Sequence, residues 1–394
     1  MFPSMTPVST RTPARAAGGP RWWHIYLVFT CWTLFSVFVF SSYSTLGDSE
    51  AYLSGAYDDD SKAARTQVLS QIANAVFATM GSELLAHLVF SFFAASGVTY
   101  LITHARLHGR YRWPFLAIVL VPNFGIWASV VGRESIFVGM LGFFLGAVLN
   151  YWHRPRFHLA LLALACVAGM TFIRSPYGMG TALFLLMFLL YRSGPRIGAS
   201  AGVHALFFAL AALFVLVCAW SSMDAYITGQ ILPEARSYFT IYSETTRTWI
   251  SMDTMAELFG SLWWSLPLAL IGPTPAEVVA RPVMLPFLLS GLVVFGSLLH
   301  SLWLAFRAPA GVARKVLLLG WLPAVVLILV AYVPFGIYNP GSAIRYASCF
   351  LLFLVFPPML LSTIHAGAPV ERTRDPAHAA RRVGIGRIAG PEAR

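Results

Sequence analysis

Charge is scarce in this chain. Of 394 residues only 11% are Asp, Glu, Lys or Arg, where soluble domains carry about a quarter, and that shortage excludes a water-soluble globule. Cysteine is rarer still: Cys31, Cys166, Cys218 and Cys349 all fall in apolar runs without metal-ligand spacing, so they read as small apolar side chains. There is no P-loop, no H-E-x-x-H and no G-x-S-x-G, which removes the nucleotide-binding, zinc-peptidase and serine-hydrolase readings tied to those motifs. Histidines are scattered singly, and His87 and His300 read as packed or water-linked. The first apolar run has no A-x-A cleavage site and is close to full crossing length, so it reads as a retained helix. No acid is expected near the middle of a membrane helix, which argues against an ion-coupled pump or symporter.

Apolar residues are plentiful, at 58% of the chain with a mean hydropathy of +0.70. Lipid cannot satisfy a bare backbone, and the runs do not alternate as barrel strands would, so the expected fold is all-α, a polytopic membrane helix bundle. Hydropathy places about ten crossings, near 25–43, 83–103, 113–131, 135–151, 158–173, 177–191, 202–220, 283–304, 316–334 and 346–363. Leu258–Ile271 is shorter, broken by Pro267 and followed by "GPTP", and is expected to be one re-entrant or interfacial helix.

The net charge of +11 gains its meaning from where the charges lie. Alternating ten crossings puts 19 of the 27 Lys and Arg on one side and 13 of the 16 acids on the other; by the positive-inside rule the basic side is cytoplasmic. Nucleic acid is not an expected partner, since no basic and aromatic array of a known module is present. The division is a cytoplasmic N-terminal tail over 1–24, one membrane domain over 25–363 and a basic cytoplasmic tail over 364–394 that suits anionic lipid. The long loops, about 44–82 and 221–282, lie on the acidic side and mark it as the working face.

"PNFGIWASVVGRES" raises a question of its own, because Arg133 and Glu134 interrupt a stretch that is apolar from Phe115 to Leu149. As one helix those 35 residues would reach about 52 Å against a core of about 30 Å, so the chain must turn. The turn falls at Gly132-Arg133-Glu134, with glycine expected to permit it. Two more outer tips carry an arginine: Arg174 with Tyr177 in "FIRSPYGMG", and Arg345 with Tyr338, Asn339 and Tyr346 in "YNPGSAIRYASC". Guanidinium forks suit carboxylate or phosphate, so three of them meeting at one end of a bundle would seat a diphosphate or an anionic sugar.

Two loops add candidates. In "SSYSTLGDSEAYLSGAYDDD", Asp48 and Glu50 fall near the membrane surface, where partial desolvation suits a carboxylate to act as a base. The loop "ILPEARSYFTIYSETTRTWISMDTMAELF" mixes Arg236, Arg247, Glu244 and other charges with Tyr238, Tyr242 and Trp249, a mixture that suits sugar rings or a membrane interface. Trp263 and Trp264 read as an interfacial belt.

These motifs, with "GDSEAY", "SLPLALIGPTP" and "NPGSAIRY" in the same order over about 25–363, resemble those of multispanning proteins from bacterial polysaccharide gene clusters. The resemblance is to O-antigen or exopolysaccharide polymerases of the Wzy type and to membrane glycosyltransferases of GT-C-like architecture. It implies an inner-membrane, periplasm-facing enzyme that joins polyprenyl-diphosphate-linked glycan units, works beside other polysaccharide assembly proteins and requires no metal or soluble cofactor. Arg133, Arg174 and Arg345 would handle the anionic carrier; Asp48, with Glu50 second, would take the place of the base; Glu134 would orient or deprotonate the acceptor. Other readings are a GT-C-type transferase adding one sugar from a polyprenyl phosphate, a noncatalytic assembly or export component, and last a small-molecule transporter.

Overall fold

The computed structural model describes residues 22–58, 63–105, 112–193, 201–240 and 246–364. Among them every regular element is helical and no strand occurs. In chain order the helices are α1 (Trp22–Phe38), α2 (Ser49–Leu53), α3 (Ala64–Met80), α4 (Glu83–Ala105), α5 (Arg112–Leu120), α6 (Pro122–Ala128), α7 (Arg133–His153), α8 (Phe157–Ile173), α9 (Ser175–Ser193) and α10 (Ala201–Tyr226). They continue with α11 (Leu232–Thr240), α12 (Met255–Ile271), α13 (Pro275–Ala280), α14 (Leu285–Arg307), α15 (Val312–Val316), α16 (Leu322–Ile337), α17 (Pro340–Ser348) and α18 (Leu351–Ile364).

Six helical stretches among the described residues are long and apolar enough to cross a membrane, or seven if α17 and α18, bent by 45° to each other, form one span. The protein is therefore a multipass membrane protein with fewer such helices than the ten that hydropathy suggests. Two of the expected crossings differ for physical reasons. Residues 113–131 form no single span, because the chain breaks at Val121, extended at φ −70° and ψ 137°, and Pro122 opens a new helix; proline starts a helix well and cannot continue one. At 17 residues, α8 is at the short end of the spanning range. The stretch expected to be re-entrant or interfacial lies within Met255–Ala280, one of the six by length and composition, with Pro267 accommodated inside α12.

The centre of the bundle is α18. From Leu351 to Leu361 its apolar side chains are at most 4% exposed, which is why "LLFLVFPPMLL" is hydrophobic all round: every face meets protein. Around it α4 packs on α7, α7 on α8, α8 on α9, α9 on α16, and α14 on α18.

The α4–α7 contact is made backbone to backbone. A β-carbon on Gly97 would lie 2.0 Å from the Gly139 carbonyl oxygen, and one on Gly142 would lie 2.3 Å from the Gly97 carbonyl carbon. Between helices already surrounded by apolar lipid, dispersion at such close approach is a main source of attraction. Gly142→Leu is therefore expected to separate the pair, because neither neighbouring backbone can yield. The check is the yield of monodisperse protein after detergent extraction, expected to fall several-fold while Gly296→Leu, which meets open space, leaves it unchanged.

Candidate functional site

The break between α6 and α7 is where the site begins. Residues 129–132 are not helical, so their backbone groups need partners from outside, and side chains of three other helices supply them. Thr33 Oγ1 donates to Ser129 O at 3.0 Å, Ser49 Oγ donates to Val131 O at 2.6 Å, and the Val131 N–H donates to His87 Nδ1 at 2.9 Å. This is irregular backbone tolerated at a membrane protein's interior because protein surrounds it, and it aims the start of α7 at one end of the bundle.

Glu134, in the first turn of α7, is 2% exposed. Its Oε1 accepts from Arg174 Nη2 and, at 2.8 Å, from Arg345 Nε. The second nitrogen of Arg345, Nη2, donates to Asp48 Oδ2 at 2.7 Å. Arg133 Nε donates to the Tyr52 hydroxyl at 2.8 Å. Two of the hairpin arginines thus meet on the Glu134 carboxylate, Arg345 links it to Asp48, which lies nearly 300 residues from Arg345 in sequence, and Arg133 is held beside them by Tyr52. Aromatic faces back them: the Tyr346 ring lies 4.4 Å from Arg174 Cζ and the Trp127 ring 5.5 Å from Arg345 Cζ, distances at which a ring face attracts a cation.

Above this network lies a cavity of about 270 Å³, whose walls include Asp48, Arg65, Arg133, Arg174, Arg345 and Tyr346. Ser175, Tyr177, Tyr226 and Glu234 complete its polar lining. Four arginines against Asp48 and Glu234 on the walls and Glu134 beneath leave an excess of positive charge. Burial and the guanidinium groups of Arg133 and Arg174 lower the pKa of Arg65, so a fourth cation sits in the field of the others. Arg174 Nε is buried with no acceptor among the described residues. Burial also holds the Tyr52 and Tyr57 phenols above their ordinary range, followed for Tyr57 by the Asp48 charge. The Tyr57 hydroxyl donates to Asp48 Oδ1 at 3.4 Å.

A second cavity, about 360 Å³, opens on the other side of the Asp48–Arg345 pair, with Asn339, Trp127 and Arg281 among its lining residues. Asn339 also caps α17, its Oδ1 accepting from the N–H groups of Gly341 and Ser342.

The remaining sequence candidates lie elsewhere. Glu50 is exposed in the first turn of α2 and lines neither cavity. Arg236 pairs with Asp253 at 3.0 Å on the surface. Arg247 is 2% exposed and binds Glu277 through Nε at 2.7 Å, the Ile337 carbonyl through Nη1 at 3.0 Å and the Gly272 carbonyl through Nη2 at 2.5 Å. It thereby ties the α12–α13 turn to the end of α16. Tyr242 and Glu244 lie outside the described residues, as do 1–21 and 365–394 of the two tails, and nothing is described of the Tyr238 side chain.

Glycine matters here in a way the turn argument did not capture. Gly132 is extended, at φ 168°, a conformation open to any residue. What it provides is room, since a β-carbon would lie 2.9 Å from Glu134 Oε2. Gly47 is constrained twice: its φ is +66°, and a β-carbon would lie 2.5 Å from Arg345 Nη1. Gly81 has the same φ with nothing within 4 Å, so it isolates backbone strain. Gly81→Ala is expected to cost about 1–2 kcal/mol, and Gly47→Ala to cost more because it also pushes Arg345 away from its carboxylates. Thermal unfolding of the two purified variants, side by side, checks this.

No family model, characterised protein or solved structure matches the chain.

Proposed function

We propose that the protein is a membrane glycosyltransferase that extends a polysaccharide by joining polyprenyl-diphosphate-linked glycan units. The observation that carries this reading is the convergence of Arg133, Arg174 and Arg345 beside Asp48 around one cavity. A glycosyl donor on a diphosphate needs fixed cations where negative charge grows as the anomeric C–O bond breaks and the diphosphate leaves with the electron pair. The acceptor hydroxyl forms the new bond to the anomeric carbon and gives its proton to Asp48. Oδ2 of Asp48 is held by Arg345, and Oδ1 takes only the longer bond from Tyr57, so Oδ1 is the oxygen with a lone pair to spare. Glu134 acts in this scheme as a positioning residue, setting Arg174 and Arg345 side by side. Tyr177 and Tyr346 support the arginines and offer faces to a sugar ring. Asn339 faces the second cavity and serves the acceptor side.

In this reading the site faces the periplasm of a bacterial inner membrane, with both termini cytoplasmic. It is supported by the charge pattern: Arg154, Arg192, Arg307 and Lys315 sit at the opposite helix ends, where Arg192 donates to the Trp152 carbonyl at 2.9 Å.

One observation favours a second reading. The carboxylates of Asp48, Glu134 and Glu234 offset most of the arginine charge, and a small excess suits one phosphate, as in a transferase adding a single sugar from a polyprenyl phosphate. The length distribution of surface glycan tests both, in a strain lacking the gene and complemented with wild type, Arg133→Gln or Arg174→Gln. Loss of long chains with accumulation of single units, to a comparable degree in both variants, supports the diphosphate reading. Normal length with one sugar missing from every repeat supports the second. Unchanged glycan removes the polysaccharide reading altogether and favours a noncatalytic component or transporter.

A further inference from the structure

The second cavity has an outlet toward the lipid. It shares Phe40, Tyr43, Val283 and Phe287 with a groove of about 590 Å³ that runs along α1 past the α5–α6 break. All the groove's lining side chains are apolar or aromatic, and Leu27, Phe35, Val39, Leu120 and Val283 in it are 41% exposed or more. From Leu27 to Val39 it follows α1 for about 18 Å, more than half of a hydrocarbon core of about 30 Å. One end is therefore built for a hydrocarbon chain.

The other end is built for an anion. Arg281 and Arg345 line the cavity with Ser44, Thr45 and Ser342. Trp127, also in its wall, is 6% exposed, and its indole N–H has no acceptor among the described residues. A buried donor left unpaired in this way costs about 1–3 kcal/mol, which an acceptor oxygen on a ligand would relieve.

We infer that the second cavity and the groove together bind a long-chain lipid phosphate, its chain along α1 and its phosphate at Arg281, Arg345 and Trp127. The phosphate then lies on the far side of the Asp48–Arg345 pair from the first cavity. The inference rests on the glycosyltransferase reading only in naming the chain as polyprenyl; the site itself stands on charge and apolar continuity.

Photo-crosslinking tests it without turnover. The full-length protein in nanodiscs is irradiated with a polyprenyl phosphate carrying a diazirine on its chain, and the labelled residues are mapped by mass spectrometry. Labelling is expected within residues 27–43 and 283–287. It should fall at least fivefold in Arg281→Gln, which weakens the anion end, and in Cys31→Trp, which fills the groove from its exposed wall. Unlabelled polyprenyl phosphate should compete, whereas polyprenol or inorganic phosphate alone should not. Labelling scattered around all lipid-facing helices overturns the inference, as does equal competition by polyprenol or by a two-chain phospholipid. If groove labelling is specific but glycan is unchanged in the gene-deleted strain, the lipid site stands and the polysaccharide reading falls. If glycan is lost and labelling is scattered, the reverse holds.

Discussion

Arg345→Ala is expected to destabilise the protein by about 3–5 kcal/mol and, if the proposed glycosyltransferase reading holds, to abolish glycan extension. The figure follows from what the substitution leaves behind. Arg345 is the common partner of Asp48 and Glu134, and Glu134 is 2% exposed; removing one member of a buried charged pair leaves the other uncompensated, and that is where the cost arises. Activity and stability are separable in a double variant. Adding Glu134→Gln removes the orphaned charge, so the double variant should recover much of the thermal stability that Arg345→Ala loses, while on the proposed reading extension stays absent because the cation assigned to the leaving diphosphate is still missing. Thermal unfolding of the purified proteins and the glycan gel read the two properties independently. Recovery of both would reduce Arg345 to a structural counterion and withdraw the anion-site argument.

With Asp48 as the proposed general base, Asp48→Asn is expected to slow extension about 100- to 10,000-fold, the usual range for loss of such a group, while leaving the amount of folded protein near wild type. Asparagine keeps an oxygen for Arg345 and the same volume, so the wall between the cavities persists; only the capacity to take a proton goes. The comparison that gives the result meaning is Glu50→Gln. Glu50 lies one helical residue beyond Ser49 but is exposed and lines neither cavity, so its loss should be far the milder. Initial rates with purified lipid-linked substrate decide between them. A larger effect at Glu50 would move the role of base to that residue and require the substrate to approach from outside the described cavities.

Much of the site was legible in sequence because polar residues in an apolar chain have few places to be. Arg133, Arg174 and Arg345 each interrupt an apolar run beside glycine or proline, so a turn could be inferred at each and all three could be placed at one end. What the sequence could not carry was distance across the fold. Arg65 on α3, Trp127 at the end of α6 and Tyr226 at the end of α10 have no local pattern that marks them as neighbours of Arg345, yet each lines a cavity with it. Gly47 belonged to a quoted motif, but its close approach to a residue 298 positions away is a property of the packed bundle. Arg247 illustrates the converse: it read as one more loop arginine among aromatics, and it is occupied by Glu277 and two carbonyls that only the α12–α16 packing brings near. The span count differed for a related reason. Hydropathy averaged over a window runs through the break at Val121 without registering it.

The network around Glu134 is also a statement about order of assembly. Domains of a nascent chain form as they emerge, from the N-terminal end, and this carboxylate emerges long before its second cation: Arg174 follows 40 residues later, Arg345 only after 211. A chain halted before α17 therefore holds an acid beneath its bundle with half its compensation, and Asp48 without its guanidinium. Only when α17 packs in does Arg345 complete the compensation of both carboxylates, so α17 closes electrostatically what the earlier helices leave open.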